Sequence, residues 1–224
     1  MTENLSKRIF TSFVLSIILL LCLFLHQFSW LTLVIIASII SFSEFNKLVK
    51  IIWKKNSKFG YLINIFSILY LFFFIYSSYI LYEYGLNVII FILLVCIFSD
   101  IGGYVIGKTI GGKKLTKISP NKTISGCIGS FIFSLIPIII FLTIFYFTKN
   151  YDFEINNFSI SIILCLLISS TCQIGDLVIS YFKRKAKIKD TGSILPGHGG
   201  VLDRVDGILF ALPAYGLIKM FINQ

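Results

Sequence analysis

Seven apolar runs set the limits on how this chain can fold. They cover approximately residues 9–25, 28–45, 60–82, 86–106, 125–147, 158–179 and 205–222. A helix of about 20 apolar residues crosses the hydrocarbon core of a bilayer. In that solvent every backbone N–H and C=O must be satisfied internally, so runs of this length become helices. Only 13% of the residues are charged and 57% are hydrophobic, against about 25% charged in soluble domains. The composition therefore excludes a water-soluble domain. The expected fold is an all-α polytopic integral membrane protein with about seven transmembrane helices. The first two runs are short and suit a hairpin through His26–Trp30. Trp30 and Trp53 are expected near the membrane interfaces. Lys7 and Arg8 precede the first run as they would in a signal peptide, but no small-residue cleavage site follows, so it reads as a retained helix.

The basic residues orient the helices. Segments 1–8, 46–59, 107–124 and 180–204 carry two, five, five and six Lys or Arg, which is 18 of the 20. They alternate with segments that are almost free of them, so the positive-inside rule places them on the cytoplasmic side with the N-terminus. The formal charge of +10 is then explained by loops facing anionic lipid, and no nucleic-acid partner is needed. The same rule reads Glu44 and the loop after it as lipid-facing, with little chemistry in residues 1–85. That part forms an N-terminal transmembrane region of about three helices. Residues 86–224 form a catalytic region with cytoplasmic loops 107–124 and 180–204. Cys22, Cys96, Cys127, Cys165 and Cys172 all sit in apolar segments without a C-x-x-C pair, and read as small buried hydrophobes.

Carboxylates in apolar helices carry the functional signal, because ionisable groups at membrane depth are costly and face a bundle interior or a wet cavity. Asp100 ends the fourth run and is followed by Gly102, Gly103, Gly107, Gly111 and Gly112, with Lys108, Lys113 and Lys114 beyond. Glycines alone would indicate close helix packing. The acid and the lysines shift the reading toward a ligand cavity. Next, KLTKISPNKTISG marks a turn before the fifth helix. Thr123 or Ser125 can cap that helix, and Lys122 can join its N-terminus in binding an anion. Pro137 is expected to kink it. In the loop at 148–157, Asp152 and Glu154 read as merely solvated. Asp176 is a second acid in an apolar helix.

The longest polar run is Ser180–Asp206, SYFKRKAKIKDTGSILPGHGGVLDRVD, with six of the 20 basic residues and three of the ten acids. Lys183, Arg184, Lys189 and Arg204 suit phosphate oxygens. Asp190, Asp203 and Asp206 suit a hard cation such as Mg²⁺ that bridges phosphates. Gly197, Gly199 and Gly200 let backbone approach a ligand closely. Asp203 and Asp206 fall on one helix face. Asp100, Asp176, Asp203 and Asp206, from three helices, are expected at one depth, in a polar active-site cavity at the cytoplasmic end. No Ser-His-Asp set is present; none is required if the nucleophile is an ionised phosphate monoester. His198 is a candidate for phosphate binding or for orienting the loop.

This stretch resembles the signature of the phosphatidate cytidylyltransferases, the CDP-diglyceride synthetases. Ser180, Lys183, Arg184, Lys189, Asp190, Pro196, His198, Gly199, Gly200, Asp203, Arg204 and Asp206 fill its fixed positions. Upstream, Gly175–Asp176, the Asp100–Gly103–Tyr104–Gly107–Lys108 pattern and Ser119–Pro120–Lys122–Thr123 with Gly126 also match. Ile124 and Ser125 depart from the pattern, where an aromatic residue and an acid are usual.

The resemblance implies the reaction CTP + phosphatidate → CDP-diacylglycerol + pyrophosphate, in phospholipid biosynthesis at a bacterial-type inner membrane. It implies Mg²⁺ on Asp176 and Asp203, and by resemblance alone a companion monovalent cation such as K⁺. Asp176, Asp203, Asp206, Lys189 and Asp190 are the expected catalytic groups. Asp100, Lys108, Ser119, Lys122, Thr123, Lys183, Arg184, His198, Gly199, Gly200 and Arg204 are the expected substrate-binding groups. The partners are CTP, phosphatidate and the bilayer, and a homodimer is allowed. Two rival readings are a CTP-dependent polyprenol or phytol-type lipid kinase and a secondary transporter. The full signature disfavours the first. Acids at the inner end and the lack of an internal repeat disfavour the second.

Overall fold

The computed structural model describes residues 2–53, 57–116, 119–148 and 158–222. They form eight helices: α1 Thr2–Leu25, α2 Gln27–Trp53, α3 Lys58–Glu83, α4 Leu86–Thr109, α5 Ile124–Phe133, α6 Ile136–Thr148, α7 Phe158–Lys185 and α8 Leu202–Ile222. Among the described residues six spans are long and apolar enough to cross a membrane. One of them, Ile124–Ile144, joins α5 to most of α6. Helix α8 occupies the seventh expected run. The chain is a multi-pass helical membrane protein. Lys149, Asp152 and Glu154 lie outside the described residues.

The interruption between α5 and α6 has a simple cause. Pro137 lacks an N–H, so the carbonyl one turn earlier, at Phe133, is left without its helical partner. The helix ends there and a new one begins at Ile136.

Two compact units can be distinguished, Met1–Glu83 with Val178–Asp206, and Tyr84–Leu177 with Gly207–Gln224. In the first, α1 and α2 turn at His26, where the Ser29 hydroxyl donates to Cys22 O at 2.8 Å and accepts from His26 N at 3.1 Å. Trp30 is turned inward and donates its indole N–H to Ser78 Oγ of α3 at 3.1 Å. Leu23, Val34, Leu48, Phe74 and Leu81 complete that core. The last turns of α7 are fastened to α2 by Phe182, which packs on Phe45 and Trp53 at 4.9 and 6.1 Å between centroids. Lys185 Nζ lies 4.4 Å above the Trp53 ring, a cation–π contact.

In the second unit α4 and α5 are in close contact. A Cβ on Gly102 would collide with Gly129 O and Phe133, and one on Gly103 would meet Ser130 Oγ at 2.6 Å. The α4 glycines thus serve helix packing, which requires small residues where backbones touch. Cys96, Cys165 and Cys172 are buried, and all five cysteines are free thiols.

Candidate functional site

The second unit holds the first cluster. Helix α4 presents Asp100, α7 presents Asp176, and the loop before α5 presents Lys122. Lys122 Nζ pairs with Asp176 Oδ2, and Asp100 lies within electrostatic range of both. Cys172 Sγ, one turn before Asp176, approaches Asp100 Oδ1 at 4.0 Å. The loop that carries Lys122 folds back on itself: Leu115 N donates to Lys122 O at 2.9 Å and Ile124 N to Lys113 O at 3.0 Å. Ser119 O accepts from Lys122 N at 3.1 Å and closes the turn. Thr123 is the N-cap of α5, accepting from Gly126 N at 3.0 Å. It is buried, so its hydroxyl serves the helix end. Ser125, at the departure from the family pattern, donates to Gly111 O and fastens the glycine turn after α4. Lys108 Nζ donates to Tyr104 Oη at 3.2 Å.

The first unit holds the second cluster, inside the signature stretch. Lys183 Nζ pairs with Asp203 Oδ1 at 2.7 Å, with side chains 15% and 7% exposed. Asp203 Oδ2 accepts from Thr191 N at 2.8 Å, Thr191 Oγ1 at 3.0 Å and Gly200 N at 3.1 Å. Asp203 lies ahead of the apolar part of α8. Burial alone would raise its carboxyl, but the hydrogen bonds from Lys183, Thr191 and Gly200 and the Lys183 charge outweigh burial and hold it below the usual carboxylate range. Arg204 donates twice to His198 O, at 3.2 and 2.9 Å. Arg184, Lys189 and Asp190 are exposed. Asp206 is half-buried in the first turns of α8.

Two glycines of PGHGG, Gly199 and Gly200, lie close to carboxylates of this chain. A Cβ on Gly199 would meet Asp203 Oδ2 at 3.1 Å, and one on Gly200 would collide with Thr191 Oγ1 and Glu44 Oε2. Gly197 has φ 76 and packs on Arg8. This contact belongs to a wider one: Arg8 Nε donates to Gly197 O at 2.8 Å, Thr11 Oγ1 to Pro196 O at 3.0 Å, and Ser12 Oγ lies 3.1 Å from His198 Nε2. The turn is therefore held by α1 and by Glu44 of α2, residues to which the sequence reading gave no part in the site.

At Asp176 a hard cation would have to displace the Lys122 ammonium from Oδ2, with the Asp100 charge nearby to help hold it, and among the described residues no group of three or more His, Cys, Asp or Glu side chains is gathered as a metal site. Asp203 fits less openly. Oδ2 is filled, and a cation at Oδ1 would replace Lys183.

Apolar helices around carboxylate–lysine pairs, with a basic Gly-Pro turn beside one of them, define a helical membrane protein that sets charged clusters against its apolar helices. The model of the cytidylyltransferase family matches residues 53–221, and the chain belongs to that family. It is 41% identical over 140 residues to the phosphatidate cytidylyltransferase of Staphylococcus saprophyticus, covering 62% of this chain and 51% of that protein. It is 44% identical over 135 residues to that of Staphylococcus haemolyticus, covering 60% and 49%. With the Rickettsia bellii protein of the same name it shares 48% identity over 126 residues, covering 55% and 52%. The chain spans about half the length of the curated relatives it matches.

Proposed function

We propose that this chain transfers the cytidylyl group of CTP to phosphatidate, giving CDP-diacylglycerol and pyrophosphate. The observation that carries the reading is the Asp100–Lys122–Asp176 cluster, two acids of otherwise apolar helices with a loop lysine paired to one of them, in a member of the cytidylyltransferase family. Such groups at membrane depth are functional by default. The names of the relatives point to the same lipid substrate.

In this reaction a phosphate oxygen of phosphatidate bonds to the α-phosphorus of CTP, the bond from that phosphorus to the β-phosphate oxygen breaks, and pyrophosphate leaves with the electron pair. Both substrates are anions, so their mutual repulsion is the main electrostatic obstacle. Lys122, Lys183, Arg184, Lys189 and Arg204 are the cations assigned to reduce it. Asp176 and Asp203 are the groups assigned to Mg²⁺, which when bound would neutralise triphosphate oxygens. Positive-inside orientation assigns the reaction to the cytoplasmic face.

The test is turnover by purified protein in lipid vesicles containing phosphatidate. Lipid-linked cytidine and pyrophosphate should appear in equal amounts, and only when CTP, phosphatidate and Mg²⁺ are all present. Formation of neither product, with the protein folded, would remove the proposal.

A further inference from the structure

Glu44 belongs to α2, ahead of the family-matched region 53–221. Its carboxylate is fully buried, at 0% exposure. It accepts hydrogen bonds from Thr191 Oγ1 at 2.9 Å, Val201 N at 3.1 Å and Leu202 N at 2.9 Å. Burying a carboxylate is costly unless it is hydrogen-bonded. Two of the donors are N–H groups at the N-terminus of α8, where the helix dipole favours negative charge. The third donor is the side chain of Thr191, within the loop between α7 and α8. One acid thus ties the middle of that loop to the start of α8.

The tie extends to the signature's own carboxylate. The Thr191 hydroxyl stands between Glu44 Oε2 at 2.9 Å and Asp203 Oδ2 at 3.0 Å. The Thr191 backbone N–H donates to the same Asp203 oxygen at 2.8 Å. Glu44 therefore fixes Thr191, and Thr191 with Gly200 fixes Asp203 Oδ2. This leaves Oδ1 directed at Lys183, 2.7 Å away. The neighbouring backbone is shaped around this arrangement. A Cβ on Gly192 would meet Glu44 Oε1 at 2.5 Å, and one on Gly200 would strike Glu44 and Thr191.

We propose that Glu44, acting through Thr191, is a positioning residue for cytidylyl transfer, setting the orientation of Asp203 and with it that of Lys183. The inference rests on the proposed function, in which Asp203 and Lys183 are site groups. A residue that only held the fold together would change how much protein folds. A positioning residue changes the turnover of the protein that does fold.

The experiment compares Thr191→Val, which keeps the shape and removes the hydroxyl, with Thr191→Ser, which keeps the hydroxyl, and with Glu44→Gln. Each is purified in phosphatidate-containing vesicles. Its kcat and its KM for CTP are measured per folded molecule, with thermal unfolding followed alongside. Thr191→Val and Glu44→Gln should each lower kcat about 10–100-fold, with KM for CTP little changed, and Thr191→Ser should recover most of the loss. Wild-type kcat in Thr191→Val, or a serine variant no better than valine, would overturn the positioning role even if Glu44→Gln fails to fold. A wild-type protein that makes no cytidylylated lipid would instead overturn the proposed function, and this inference with it.

Discussion

Asp203 and Asp100 are both acids beside apolar helix, and their surroundings are opposite. Asp203 is nearly enclosed, with three donors on Oδ2 and an ammonium on Oδ1. Asp100 accepts one hydrogen bond, from Cys172 Sγ at 4.0 Å, and that bond is long. A carboxylate whose oxygens are filled by its own chain organises backbone, because breaking any one bond leaves a buried group unpaired. A carboxylate with few protein donors can take a ligand without that cost. The loop around Asp203 is thus organised by that carboxylate, whereas Asp100 organises far less of its own chain.

The largest effect that would separate the two regions is expected at Asp176. Asp176→Asn removes the charge beside Lys122 with little change of shape, and should lower turnover about 10²–10³-fold, the scale found for a lost electrostatic contact to a reacting group. Its unfolding midpoint should stay near that of wild type. Asp203→Ala should lower turnover by no more than that factor, but in addition it strands Lys183 and three hydrogen-bond donors. Loss of one partner of a buried ion pair costs about 3–5 kcal/mol, so chemical unfolding in detergent should show a clear destabilisation. Equal stability of these two variants would break the comparison.

Smaller effects sharpen it. Gly102→Ala presses a methyl group into Gly129 O and Phe133. Overpacking of this kind costs about 1–3 kcal/mol, and unfolding curves should register it with turnover per folded molecule largely kept. Ser125→Ala removes the bond to Gly111 O, and about 1 kcal/mol is expected, at the limit of the same measurement. A loss of turnover as large as that of Asp176→Asn in either variant would mean that the α4–α5 contact shapes the reaction directly.

Much of the fold was legible because hydropathy reports burial in lipid over a window as long as the helix itself. The break at Pro137 and the cap at Thr123 were legible for a related reason: both are set within one turn of the residue concerned. Asp100, Asp176 and Asp203 stood out because acids beside apolar helix are rare. Glu44 did not, although it too is an acid in an apolar helix. Its partners lie 147, 157 and 158 residues away, and no local pattern announces them. The basic loop after it favoured a lipid-facing reading, which its burial now replaces. The same distance hid the contact of Ser12 with His198, 186 residues apart. The glycines of PGHGG were legible as places of close approach. What approaches them, Asp203, Glu44 and Arg8 of the same chain, was settled by packing that the sequence pattern does not contain.

The most direct test of cytidylyl transfer is to follow both ends of the triphosphate in one reaction. Purified protein is given phosphatidate, a polyprenol or phytol-type alcohol, Mg²⁺ and CTP labelled separately in the α- and γ-phosphates. The account predicts α-label in the lipid product and γ-label in pyrophosphate. Recovery of γ-label on lipid, with α-label in free CDP, would contradict it and identify the chain as a lipid kinase.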